Sequence, residues 1–265
     1  MRLHRVATLV LCAVVSSSPA LADTLSGTRS ELVSERSHVI QLRLEPGHAE
    51  MTVRRTIENK GARHDQAIYS LELPNGGVAT GLRTLGYVDG EHRWFNADLL
   101  EREEAAKRYR ELTGVGMAIP KDPALLYWVG VGRLGLQVFP VAPSSLKTVE
   151  YTVKIPTEYI DGRDVVRIPA SVAVADSVPE VVVTSKDPQD RIFTDFTATL
   201  RFCSHCANEA IEYPLAQGAR VSLGGGDVHF ALEHVTAPRL GGRLAVIPVR
   251  PDKIMSHVRV ELPRR

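Results

Sequence analysis

The sequence predicts a mostly β, sandwich-like fold with one inserted amphipathic helix, followed by a second β-rich region. Three observations lead there. Short alternating apolar runs recur from Val39 onward, separated by Gly, Pro, Asn and Asp. Only the stretch "LLEREEAAKRYRELTG", from Leu99, carries a helical period. The regular strand–helix alternation that builds a parallel sheet is missing. With 265 residues, 44% of them hydrophobic, and a formal charge of +1, the chain can bury a sizeable core, and its composition is not that of a disordered protein.

The first element is a targeting segment. Arg2 and Arg5 precede an apolar run from Val6 to Val15, and Ala20-Leu21-Ala22 offers a small-x-small cleavage site. The expectation is a signal peptide over 1–22 removed after Ala22, giving a secreted or periplasmic protein with no transmembrane anchor. Removal takes away two arginines and no acid, so the charge moves from +1 to −1. That balance lacks the basic footprint of a nucleic-acid or anionic-membrane binder. Residues 23–36 read as a linker.

The strands follow in order. Ile40, Leu42 and Leu44 share a face up to Pro46-Gly47, and Met51, Val53 and Ile57 return, as in a hairpin. Arg55 falls among these apolar positions, which suggests a bulge or an edge strand. Ala67, Tyr69, Leu71 and Leu73 alternate up to Pro74-Asn75-Gly76-Gly77, and a strand from Val78 to Val88 turns at Asp89-Gly90.

Asn96 or Asp98 is placed to cap the helix, whose apolar stripe is Leu99, Ala105, Ala106, Tyr109 and Leu112. Glu103 with Lys107 and Glu104 with Arg108 are spaced as i,i+4 pairs, so the charges read as a solvated face rather than a catalytic carboxylate pair. Gly114 is the expected stop. In "PKDPALLYW" the prolines stiffen the exit, and Leu125 to Trp128 read as a strand covered on both faces, or else as an aromatic patch for a partner.

Leu134–Val138 and Val149–Ile155 suggest another hairpin. Further strands are expected near Val165–Ile168, Val181–Thr184, Ile192–Phe202, Val221–Leu223, Val228–Val235, Leu244–Val249 and Val258–Leu262. Asp161-Gly162 reads as the seam between a unit over 37–160 and the β-rich region 161–265.

Chemistry centres on "RFCSHCANE". Cys203 and Cys206 fit a local disulfide in an oxidising compartment. A redox or metal-binding role with His205 stays open as an alternative, although a metal would need ligands from elsewhere. The chain contains no Gly-x-Ser-x-Gly, no phosphate loop and no His-Glu-x-x-His. Gly224-Gly225-Gly226-Asp227 joins strands and opens no helix. The sequence thus points to no enzyme, no resident metal and no cofactor. A ligand-binding β-sandwich, for instance for carbohydrate, is a further alternative, which Trp94, Phe95 and Trp128 exposed together on one face would support.

The order of "MTVRRTIENKG", "IYSLELPNGG", "VATGLRTLGYVDG", "EREEAAKRYRELTG" and "LGLQVFPVAPSSLKTVEYTV" resembles the VIT domain, the vault protein and inter-alpha-trypsin inhibitor heavy-chain module. Glu101, Glu103, Ala105 or Ala106, Tyr109, Val149, Glu150 and Tyr151 carry the resemblance, which covers Val39 to Tyr159. It implies a compact β module with one helix, a non-catalytic role and contact with proteins. A von Willebrand factor A domain accompanies this module in many members, so a protein carrying one is a candidate partner. The Asp-x-Ser-x-Ser motif of that domain does not occur in this chain. The resemblance therefore implies a divergent, stand-alone or shortened member. Tyr109, Tyr127 and Trp128 are the residues expected to form its packing or interaction signature.

Overall fold

The computed structural model describes residues 23–29, 32–74, 76–113, 123–169, 179–196, 211–223 and 227–234. The expected signal peptide, the expected helix stop Gly114, Cys203, His205, Cys206, Gly224–Gly226 and the last two expected strands lie outside these residues.

The chain is mostly β. In order, the first strands are β1 (Thr24–Gly27), β2 (Val33–Glu45), β3 (His48–Asn59), β4 (Asp65–Glu72), β5 (Val78–Val88) and β6 (Glu91–Asn96). Helix α1 (Arg102–Leu112) comes next, then β7 (Ala124–Gly130), β8 (Arg133–Val141), β9 (Ser145–Pro156), β10 (Glu158–Ile160) and β11 (Arg163–Ile168). The remaining described strands are β12 (Glu180–Ser185), β13 (Arg191–Phe196), β14 (Ile211–Leu215), β15 (Ala219–Ser222) and β16 (Val228–Glu233).

They form three sheets. The largest runs β15-β12-β2-β3-β9-β5-β6, a second runs β1-β4-β8-β7, and a third runs β10-β11-β16-β13-β14. One apolar cluster joins their inner faces. It includes Ile40, Leu42, Val53, Val149 and Val153 from the first sheet, Leu71 and Leu136 from the second, and Ile168 and Phe230 from the third.

Alternation explains the strands well. In β3 every second residue from Ala49 to Asn59 is buried, Arg55 included. Arg55 therefore keeps the parity rather than breaking it. β3 neither bulges at Arg55 nor lies at an edge, since it pairs with β2 and β9 on its two sides. The irregularity sits in β2, between Glu35 and Ser37. Both Asp-Gly turns are tight. Asp89 and Gly90 have φ of 53° and 84°, and Asp161 and Gly162 have 49° and 87°. Positive φ at both central positions is what a two-residue hairpin turn of the right twist demands.

Four expectations change. Residues 23–36, read as a linker, contain β1 and the start of β2, and Asp23 is buried. Asp161-Gly162, read as a seam, is the turn of the β10–β11 hairpin, and β12 beyond it runs parallel to β2 from Glu180↔Val39 to Ser185↔Leu44. β8 and β9 are not a hairpin: the chain leaves one sheet at Val141 and enters another at Ser145. β7 is the edge of its sheet and only partly buried, so it is not covered on both faces.

The helix begins at Arg102 because the Glu101 side chain accepts the backbone N–H groups of Glu103 (3.0 Å) and Glu104 (3.3 Å). Asn96 belongs to β6, and Asp98 lies 3.6 Å from Arg108 instead of capping. Thr113 is the C-cap. Leu99 lies outside the helix and is 99% exposed. Tyr109 alone of the expected stripe is fully buried, at 8% exposure.

Candidate functional site

Pleating sends Arg54 and Arg55 to opposite faces of β3, and Glu150 and Tyr151 to opposite faces of β9. The registers align Arg54, Glu150, Arg83 and Asn96 as one row across β3, β9, β5 and β6. That row lies on the outer face of the seven-stranded sheet.

Glu150 is buried between the two arginines. Arg54 donates to its Oε2 from Nε (3.0 Å) and Nη2 (2.9 Å), and Arg83 donates to its Oε1. Each guanidinium spends one edge on the carboxylate and keeps its other donors toward solvent. The two side chains remain 43% and 39% exposed. Trp94 completes the group, with Arg83 4.5 Å and Arg54 5.3 Å from its ring centre. Two cations over one indole are attracted by its ring face and held in orientation. Beside them on the same edge, Tyr87 and His92 meet edge to face at 5.2 Å.

On the inner face Arg55 is 1% exposed. Its Nη1 donates to Glu35 Oε1 at 2.8 Å and its Nη2 to Asp23. Nε and Nη2 each lie 3.4 Å from the Tyr151 hydroxyl, and the guanidinium stacks 5.0 Å from the Tyr69 ring centre. Tyr69 donates to Glu35 Oε1 at 3.2 Å, and the Glu72 N–H donates to Asp23 Oδ1 at 2.8 Å. Burial alone would lower the Arg55 pKa, but Tyr151, Asp23, Glu35 and Tyr69 around it carry it well above its usual range. Burial pushes Tyr151 up to about 12 and, with Glu35, raises Tyr69 further, so both phenols stay neutral. His38 lies 3.7 Å from Glu35, yet it is not a charged partner. Burial, assisted by Arg55, lowers its pKa to about 2. This cluster fastens β2, β3, β4 and β9 to the N-terminal residues, and its members are closed off from solvent.

A third feature lies where the edges of the first two sheets diverge under α1. A cavity of about 220 Å³ is lined by Leu82, Thr84, Phe95, Ala105, Tyr109 and Leu125 among others. Among the described residues the buried Tyr109 hydroxyl has no hydrogen-bond partner, and burial, with Tyr127 nearby, raises its pKa well above the ordinary value.

The expected signature residues separate. Tyr109 packs under the helix. Tyr127 is half-buried and lies against Gly135, where a Cβ would come within 2.3 Å of its Cζ; its hydroxyl accepts a hydrogen bond from Gln137 at 3.3 Å. Trp128 is 43% exposed on the β7 edge, with Val129 and Val131 also exposed. Trp94 and Phe95 are consecutive on β6 and point to opposite faces, and Trp128 belongs to another sheet. Trp94, Phe95 and Trp128 therefore do not share one face, and the ligand-binding alternative does not receive that support. Sequence reasoning did not identify the Arg54–Glu150–Arg83 row, although the outward parity of all three residues was readable.

No family model and no curated protein matches the chain. Solved structures that resemble it include a protein described as nutrient-binding from Legionella pneumophila, at 9% identity and TM-score 0.40. That match covers 76% of this chain and 67% of the other. An M1 zinc metallopeptidase from Deinococcus radiodurans is similar at 12% identity and TM-score 0.35, covering 79% of this chain and 45% of that one. The chain thus spans less than half the length of that metallopeptidase.

Proposed function

We propose that this protein is an exported, non-catalytic module of the VIT type that acts by binding another protein, in the cell envelope or outside the cell. The observation that carries the reading is the outer face at the β5–β6 edge. There Trp94 is clamped by two half-exposed arginines that are ordered by a buried carboxylate. Trp, Tyr and Arg are the residue types in which binding energy concentrates, and side chains ordered beforehand lose little freedom when a partner arrives. The residues that carry the VIT resemblance support it as well. Glu150 of "VEY" meets Arg54 of "VRRT", and Tyr151 meets Arg55. A protein with a von Willebrand A domain is the partner class that this resemblance brings.

The test is site-directed photocrosslinking from the Tyr87 position in the exporting cell, comparing the native chain with Trp94→Ala. The expected result is a discrete crosslinked protein, at least about tenfold weaker in the variant, at an unchanged melting temperature. An identical adduct from both chains would place the working surface elsewhere.

A further inference from the structure

The proposed interaction reading leaves the chemistry of the partner open, and the Arg54–Glu150–Arg83 row supplies it. Glu150 has both oxygens occupied, Oε2 by Arg54 and Oε1 by Arg83. It is almost wholly buried and has no lone pair turned to solvent on which a donor of the partner could settle. The row therefore presents two cations against one anion, a local charge of +1. The outward donors of two guanidiniums are unspent by Glu150, and their planes are fixed by Trp94. A second carboxylate finds both guanidiniums already oriented.

The backbone beside this row is equally specific. β6 is the last strand of its sheet, so among the described residues its outward ladder has no partner strand. An extended segment added there would place every second side chain on the outer face, next to His92, Trp94 and Asn96. The Arg83 head lies over the Trp94 ring and so within reach of a long acidic side chain on that added strand.

We infer that the partner docks through an extended acidic segment that adds to the β6 edge and sets a carboxylate on Arg83 and Arg54. This rests on the interaction reading above and narrows it to one class of partner.

The chain holds two tryptophans, so Trp128→Phe leaves Trp94 as the sole reporter. The full chain with that change is titrated with a short peptide of alternating Glu and Val, and Trp94 fluorescence is followed. Saturable binding is expected. It should weaken as salt is raised, and fall by about tenfold or more with Arg83→Gln or when every Glu of the peptide is Gln. Arg83→Lys keeps the charge and the Glu150 contact, and gives an intermediate affinity should Arg83→Gln unfold. Equal binding of the Gln peptide, or no binding of the Glu peptide, overturns the inference. So does inorganic phosphate alone binding as tightly as the peptide, which would mark a simple anion site. If the Glu peptide fails while Trp94→Ala still loses the crosslinked partner, only the acidic assignment falls. If both fail, the surface itself was misassigned.

Discussion

Replacing Arg55 with methionine keeps most of the side-chain volume and deletes the charge, leaving Asp23 and Glu35 buried without their cation. Breaking one side of such a buried arrangement costs about 3–5 kcal/mol, whereas loss of Arg54, itself 43% exposed, leaves the buried Glu150 still neutralised by Arg83. Arg54 and Arg55 are neighbours on β3 with opposite environments, so they make a controlled comparison. Urea unfolding should show Arg55→Met destabilised by about 3–5 kcal/mol and Arg54→Met by about half of that or less. Equal losses would mean that the interior cluster is better hydrated than its burial implies. His38 adds a pH signature at the same site. Its pKa drops from 6.5 in the unfolded chain to about 2 when folded, so between those values the unfolded state binds a proton that the folded state does not. The stabilisation is complete above pH 6.5 and is lost as pH falls, by about 1.4 kcal/mol per pH unit. Unfolding free energies measured from pH 7 to pH 5 should therefore decline by about 2 kcal/mol from this group alone, and the decline should be correspondingly shallower in His38→Gln.

Among the described side chains of helix α1, Tyr109 is the buried anchor. Removing its ring opens space beside an existing cavity, so Tyr109→Ala should cost about 3–5 kcal/mol in thermal or urea unfolding. Tyr109→Phe keeps the ring and deletes a hydroxyl that has no hydrogen-bond partner among the described residues, so it should be neutral or stabilising by about 1 kcal/mol. A loss on Tyr109→Phe comparable to the alanine variant would show that the hydroxyl is bonded in solution. The same element shows what could be read in the sequence. Its existence, its approximate limits and the burial of Tyr109 followed from spacing. Its cap did not, because Asn96 and Asp98 are as good by type as Glu101 and are excluded only by β6 pairing and by Arg108. Strand existence and face were likewise legible from alternation, but alternation names no partner. The assignment of β8 and β9 to different sheets was therefore invisible. Arg55 was misread for a related reason: its neutralising partners lie 20 and 32 residues away in the chain. The Arg54–Glu150–Arg83 row needs registers spanning up to 96 residues, which no local pattern supplies.

At the scale of the molecule, the three sheets share one core, and the chain after Ile160 is woven into it. β12 covers the outer edge of β2, bringing Val181 and Val183, both fully buried, alongside Ile40 and Leu42. Asp164 of β11 accepts the Gly47 N–H at 3.2 Å and the Thr157 hydroxyl at 2.8 Å, and its other oxygen lies 3.1 Å from His234. It thus ties the third sheet to the β2–β3 turn. A chain ending at Ile160 would keep every residue on which the VIT resemblance rests but lose both ties. Val181 and Val183 contribute on the order of 1.5–3 kcal/mol each by burial, and β2 without β12 becomes an open edge able to pair with another copy. The shortened chain should melt at lower temperature and associate as its concentration rises. It should also lose hydrogen-exchange protection at those amides of Val39–Leu44 that face β12, while β4 and β8 keep theirs. An unchanged melting temperature with β2 still protected would show that the seven-stranded sheet is complete without its last two strands.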